Sequence, residues 1–121
     1  IGAANPSSVS SLFNKCVSKF DHQILSAHFH DTRAMALANV CAALSEGIRK
    51  FDSCIGGLGG CPFAPGAAGN LATEDLANML SQMGYETGVD LEKLPAIVNY
   101  CREQLQEPVG GRMSAWLEKA N

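Results

Sequence analysis

The stretch IRKFDSCIGGLGGCPFAPGAAGNLATEDL, Ile48 to Leu76, decides how this chain is read, because it passes from strand through glycine loop to helix without a break. Ile48 to Ile55 reads as a strand. From Gly56 to Asn70, six of fifteen residues are glycine and one, Cys61, is a cysteine. Glycine at this density serves positive φ, close approach of backbone to a ligand, or freedom to move. Packing alone does not ask for it. Thr73 then caps a helix whose first turn carries Glu74 and Asp75 to complement the dipole. Leu76, Met79, Leu80 and Met83 form its core face, and Gly84 ends it.

Outward from that stretch the pattern alternates. Asn5-Pro6 starts a helix, and Val9, Leu12, Phe13, Cys16, Val17 and Phe20 recur at helical spacing. Gln23 to His30 reads as a strand, with Leu25, Ala27 and Phe29 on one face and Ile24, Ser26, His28 and His30 on the other. A helix follows from about Arg33 to Glu46, with Leu37, Cys41 and Leu44 on its buried stripe and Gly47 as its stop. Downstream, a helix runs from about Asp90 to Leu105, its first turns constrained by Pro95. Pro108 and Gly110-Gly111 make a turn before a short helix containing Trp116. Strands alternating with helices mean parallel βαβ units. Two strands alone cannot make a parallel sheet covered on both faces. A closed barrel of eight such units needs about 250 residues. The expected fold is therefore α/β, the C-terminal part of a larger architecture.

Composition narrows the function. The chain has 121 residues, 46% hydrophobic and 17% charged, in the range of a globular domain. Net charge is −3 with no basic stripe, which argues against nucleic acid. No apolar run approaches the roughly 20 residues needed to cross a bilayer, so no membrane partner is expected. No signal peptide is apparent ahead of the first helix, although Ile1 is not a start methionine and an upstream segment is not excluded. The cysteines are five, Cys16, Cys41, Cys54, Cys61 and Cys101, with no C-x-x-C pair. An odd count set mostly in apolar segments is the usage of a reducing compartment, cytoplasmic or organellar.

Two elements carry chemistry. His28 and His30 are two apart on a strand, so both imidazoles project to one side, with Asp31 just beyond. Neutral imidazoles side by side suit a divalent cation, and Asn70 offers an oxygen donor from the following loop. The plainer alternative is a loop cap and a satisfied interior histidine. Cys61, after Gly59-Gly60 and before Pro62, is a thiol placed for proton transfer, and Gly57, Gly59, Gly60, Gly66 and Gly69 suit a lid. Asp52 either orients a site residue or pairs with Arg49 or Lys50, and the structural pairing is the favoured expectation. The loop lacks a Gly-Lys-Ser/Thr ending, so nucleotide phosphate binding is not supported.

His-Phe-His-Asp-Thr at 28 to 32, with Ala-Leu-Ala-Asn at 36 to 39, resembles the seventh strand and helix of the 3-hydroxy-3-methylglutaryl-CoA lyase family. Gly57 to Asp75 resembles its cysteine loop and the start of its eighth helix, and Thr87 to Leu94 continues the likeness. The resemblance implies the C-terminal portion of a (β/α)8 TIM barrel, with the last barrel units over about 1–89 and a helical extension over about 90–121. It implies cleavage of a 3-hydroxy-3-methylglutaryl thioester to acetyl-CoA and acetoacetate with Mg²⁺ or Mn²⁺. By position, His28, His30 and Asn70 are the metal ligands, and His28 and Cys61 the catalytic residues. The family's first-strand Arg-Asp motif has no counterpart here, so the isolated chain is expected to be inactive. Expected partners are an acyl-CoA thioester and the rest of the barrel or another copy of the chain, in a homo-oligomer. The expected compartment is the cytoplasm or, in a eukaryote, the mitochondrial matrix. Alternatives are a related acyl-CoA lyase or condensing synthase, or a non-catalytic interaction module.

Overall fold

Asn5 opens the first helix, α1 (Pro6–Val17), by accepting from the Ser8 amide at 3.0 Å while Ser8 Oγ accepts from the Asn5 amide at 3.1 Å. This reciprocal pair satisfies donors that a helix start otherwise leaves bare. The computed structural model describes residues 1–60 and 69–120. They fall into two compact units, residues 1–52 with Gly60, and residues 53–59 with 69–120.

In the first unit, α1 packs on α2 (Ala36–Ser45). Val9 and Phe13 are its buried contribution, whereas Leu12 and Phe20 are exposed. The buried stripe of α2 is Ala36, Asn39, Val40, Ala43 and Leu44; of the expected stripe only Leu44 is fully buried, and Leu37 and Cys41 are half-buried. Small residues let α2 seat closely, which shifts its inner face by one residue from the Leu and Cys positions. Glu46 joins the two helices by accepting from Ser10 Oγ and, at 3.2 Å, from Asn14 Nδ2. Gly47 takes φ +91° as the expected stop.

The strands are shorter than their sequence pattern. Residues His22–Ile24 form a 3₁₀ turn, with Asp21 capping Gln23 at 2.9 Å, so β1 is confined to Ala27–His28. Its partner β2 covers Phe51–Asp52, parallel to it. Ala27 and Phe29 are buried and His28 is exposed, so the expected alternation of faces holds where the strand is real.

The second unit begins where the chain leaves β2. Cys54 bridges Ala72 in parallel fashion, and Ile55–Gly57 form a 3₁₀ turn. The helix α3 (Thr73–Gln82) follows, then α4 (Leu94–Leu105), with Pro95 in its first turn, and α5 (Arg112–Ala120). Both α3 and α4 pack on α5 and on the 55–57 turn. Leu76 and Ala77 are buried and Met79 and Leu80 half-buried, but Met83 is 47% exposed and not core.

Thr73 does not cap α3: the N-cap is Ala72, and Thr73 Oγ1 meets Ser53 Oγ at 2.9 Å. Nor are Glu74 and Asp75 merely dipole partners. Glu74 is fully buried and accepts from the Gly56 amide (3.0 Å), the Gly111 amide (2.7 Å) and Ser114 Oγ (2.7 Å). Asp75 takes the Arg112 and Met113 amides at 3.0 and 2.7 Å and so caps α5.

Candidate functional site

The parallel register sets His28 opposite Asp52, and Asp52 Oδ1 contacts His28 Nδ1. A carboxylate only accepts, so Nδ1 carries the hydrogen and Nε2 of the neutral ring is left with its lone pair. The expected pairing of Asp52 with a basic neighbour is replaced by this contact. Arg49 Nη1 donates instead to the Leu44 and Ile48 carbonyls, at 2.8 and 2.9 Å. The register sets His28 directly across from Asp52, while Arg49 lies ahead of β2 with its guanidinium on the Leu44 and Ile48 carbonyls.

His30 stands edge-on to His28, with ring centroids 5.1 Å apart and planes at 70°. Its Nδ1 is buried without a hydrogen-bond partner among the described residues. Burial, reinforced by His28 whenever that ring is protonated, holds its pKa below the ordinary histidine value. The neutral ring that results is the metal-binding form. Asp31 is spent elsewhere: its Oδ1 accepts from the Ala36 amide at 2.8 Å and starts α2.

Asn70 belongs to the second unit and is built from the glycine loop. Its Nδ2 donates to the Leu58 carbonyl at 2.8 Å and to Cys54 Sγ at 3.2 Å. Its Oδ1 is buried and has no partner among the described residues. Gly57 (φ +69°) and Gly59 (φ +99°) make room for this: a Cβ on Gly57 would lie 3.0 Å from the Asn70 carbonyl, and one on Gly59 2.7 Å from Nδ2. Both positions therefore need glycine for positive φ and for close approach at once.

Residues 1–101 match the HMGL-like family. The chain belongs to that family. Among its relatives, hydroxymethylglutaryl-CoA lyase of Pseudomonas mevalonii is 49% identical over 121 residues, which is 100% of this chain and 36% of that protein. The crystal structure of the Bacillus subtilis HMG-CoA lyase superposes with a TM-score of 0.91 at 44% identity, over 97% of this chain and 39% of that one. An HMG-CoA lyase from Acinetobacter baumannii, solved with coenzyme A and 3-methylmalate, gives a TM-score of 0.89 at 41% identity, over 94% of this chain and 37% of that one. The chain thus spans somewhat over a third of the length of these relatives.

For this HMGL-like chain, the expected site residues divide between the units. His28 and His30 adjoin in the first; Asn70, Gly57, Gly59 and Gly69 lie in the second. Cys61 and Gly66 lie outside the described residues, and Gly60 is exposed. No three His, Cys, Asp or Glu side chains gather as a metal cluster among the described residues. Among the described residues, Cys16, Cys54 and Cys101 are free thiols. No described helix is long and apolar enough to cross a membrane. The sequence reading missed Cys54 as a partner of Asn70 and Glu74 as an anchor of the loop base. A strand residue two before a glycine pair was the only available sign of the first. The second had none, because an acidic residue in a helix's first turn is ordinarily exposed.

Proposed function

We propose that this chain is the C-terminal portion of a (β/α)8 barrel enzyme that cleaves 3-hydroxy-3-methylglutaryl-CoA to acetyl-CoA and acetoacetate. Its substrate is then an acyl-CoA thioester, and the barrel is completed by further chain or by another copy. The observations that carry the reading are two buried donor atoms, His30 Nδ1 in the first unit and Asn70 Oδ1 in the second, each without a partner among the described residues, in a chain of the HMGL-like family. Nitrogen and oxygen lone pairs of this kind fit Mg²⁺ or Mn²⁺. His28, His30 and Asn70 are the proposed ligands.

When bound, the cation supplies positive charge that polarises the substrate's tertiary hydroxyl and carbonyl oxygens. Asp52 fixes the His28 tautomer, so this ring has one nitrogen left to give. It can ligate a cation or accept a proton at that atom, not both at once. We assign it to ligation, which leaves proton transfer to Cys61. The Cys61 thiolate takes the hydroxyl proton and becomes the thiol as the C2–C3 bond breaks. The bond's electron pair passes to the thioester enolate while C3 becomes the ketone of acetoacetate. The Cys61 thiol then returns a proton to the enolate carbon.

The test uses the full-length protein that carries this chain, assayed for acetoacetate release from 3-hydroxy-3-methylglutaryl-CoA. Turnover that depends on Mg²⁺ or Mn²⁺, is lost with a chelator, and collapses in Cys61→Ser while the metal stays bound is the expected result. Absence of acetoacetate from the metal-loaded protein overturns the assignment.

A further inference from the structure

The Asn70 side chain is held by an unusual pair of acceptors. A carbonyl oxygen can only accept, so the Asn70 atom 2.8 Å from the Leu58 carbonyl is its nitrogen, and the direction of Oδ1 follows without any choice of flip. The second amide hydrogen reaches Cys54 Sγ at 3.2 Å. Cys54 is itself pinned on both sides of its α-carbon. Its amide donates to the Leu71 carbonyl at 3.0 Å, and its carbonyl accepts from the Thr73 amide at 2.9 Å. The thiol therefore has a fixed station beside Asn70. With both N–H bonds spent inward, Oδ1 is buried and has no partner among the described residues.

We propose that Cys54 is a positioning residue: with the Leu58 carbonyl, its sulfur clamps the Asn70 amide so that Oδ1 is presented as a preoriented cation ligand. This inference rests on the reading of Asn70 as a ligand given above. An amide held at only one hydrogen swings about its last torsion, and each cation bound must first stop that motion. Partners behind a ligand typically contribute about 10- to 100-fold in metal affinity. A thiol is a weak acceptor, so the lower end is expected here.

Mn²⁺ binding to the full-length protein, read by the electron paramagnetic resonance of free Mn²⁺, tests this without catalysis. Cys54→Ala is expected to weaken Mn²⁺ about 10-fold. Cys54→Ser, whose hydroxyl also accepts, is expected to restore affinity to within about threefold of the parent. Adding Cys54→Ala to Asn70→Ala is expected to cost nothing further, because the clamp then has nothing to hold. Should Cys54→Ala fail to fold, Cys54→Val removes the acceptor while filling the space. Parent-like Mn²⁺ binding by Cys54→Ala overturns the clamp, as does a Cys54→Ser variant as weak as Cys54→Ala, or additive losses in the double variant. Parent-like binding by Asn70→Ala is a separate failure: it removes Asn70 from the ligand set and the proposed site with it.

Discussion

Replacing Glu74 by alanine should be among the most damaging single changes in the second unit. Its carboxylate is fully buried and receives three hydrogens, from the Gly56 amide, the Gly111 amide and Ser114 Oγ. The serine hydroxyl can rotate to another acceptor, but two backbone N–H groups cannot. A hydrogen bond to a charged group contributes about 1.5–3 kcal/mol, and a stranded buried donor costs about as much as the bond it lost. Two such donors, with some relief from water entering the space, give an expected loss of about 3–5 kcal/mol. Glu74→Gln is the sharper variant. It keeps an oxygen for Gly111 and Ser114 but turns an amide NH₂ toward the Gly56 N–H, so about 2 kcal/mol is expected, localised at the loop base. Urea unfolding of the full-length protein gives the total, and amide hydrogen exchange gives the place. Glu74→Gln should accelerate exchange at Gly56 while leaving Gly111 protected. Equal exchange at Gly56 in parent and variant, or a Glu74→Ala loss below about 0.5 kcal/mol, would refute the account of Glu74 as the peg between the loop base and α5.

Gly59→Ala forces a side chain to φ +99° with its Cβ 2.7 Å from Asn70 Nδ2. A loss of about 1–3 kcal/mol in stability is expected, together with weaker Mn²⁺ binding, and a variant with parent-like midpoint and affinity would contradict the packing argument. Asp52→Ala removes the acceptor that fixes His28 Nδ1–H. Metal affinity of the full-length protein should fall about 10-fold or more, which isothermal titration with Mn²⁺ would show. Ser10→Ala addresses pH dependence. Hydrogen bonds from Ser10, then Asn14, hold the Glu46 carboxyl below the usual glutamate range. A depressed folded pKa adds stability that is present above the unfolded value and disappears as pH falls through the folded one. Ser10→Ala should therefore move the Glu46 titration upward in a carboxyl NMR experiment and narrow the acid range over which the fold persists; an unmoved titration would refute it.

The helices were legible because their signals are local. Asn5-Pro6 and Gly47 act in the structure as the sequence suggests, since a cap and a stop involve only neighbours in the chain. The strands were legible in kind but not in length. Gln23 to His30 alternates well, yet Asp21 draws the Gln23 amide into a turn, and only Ala27–His28 pair with β2. A strand exists only as far as its partner does, and the partner is remote in sequence. Asp52 was misjudged for the same reason. Arg49 and Lys50 are its neighbours along the chain, but the register makes His28 its neighbour in space.

The glycine loop shows most clearly where a sequence argument bends. Six glycines in fifteen residues invite the idea of a moving lid. At Gly57 and Gly59 the structure supports a different cause, since a Cβ would press on the Asn70 carbonyl at Gly57 and collide with Asn70 Nδ2 at Gly59. Their role is to let backbone come close to one amide and to leave the Leu58 carbonyl facing it at 2.8 Å. Composition can report that glycine is needed, but mobility and close approach ask for the same residue. Only the through-space neighbour separates them: for Gly57 it is the Asn70 backbone carbonyl, and for Gly59 it is the Asn70 side chain on which the proposed chemistry depends.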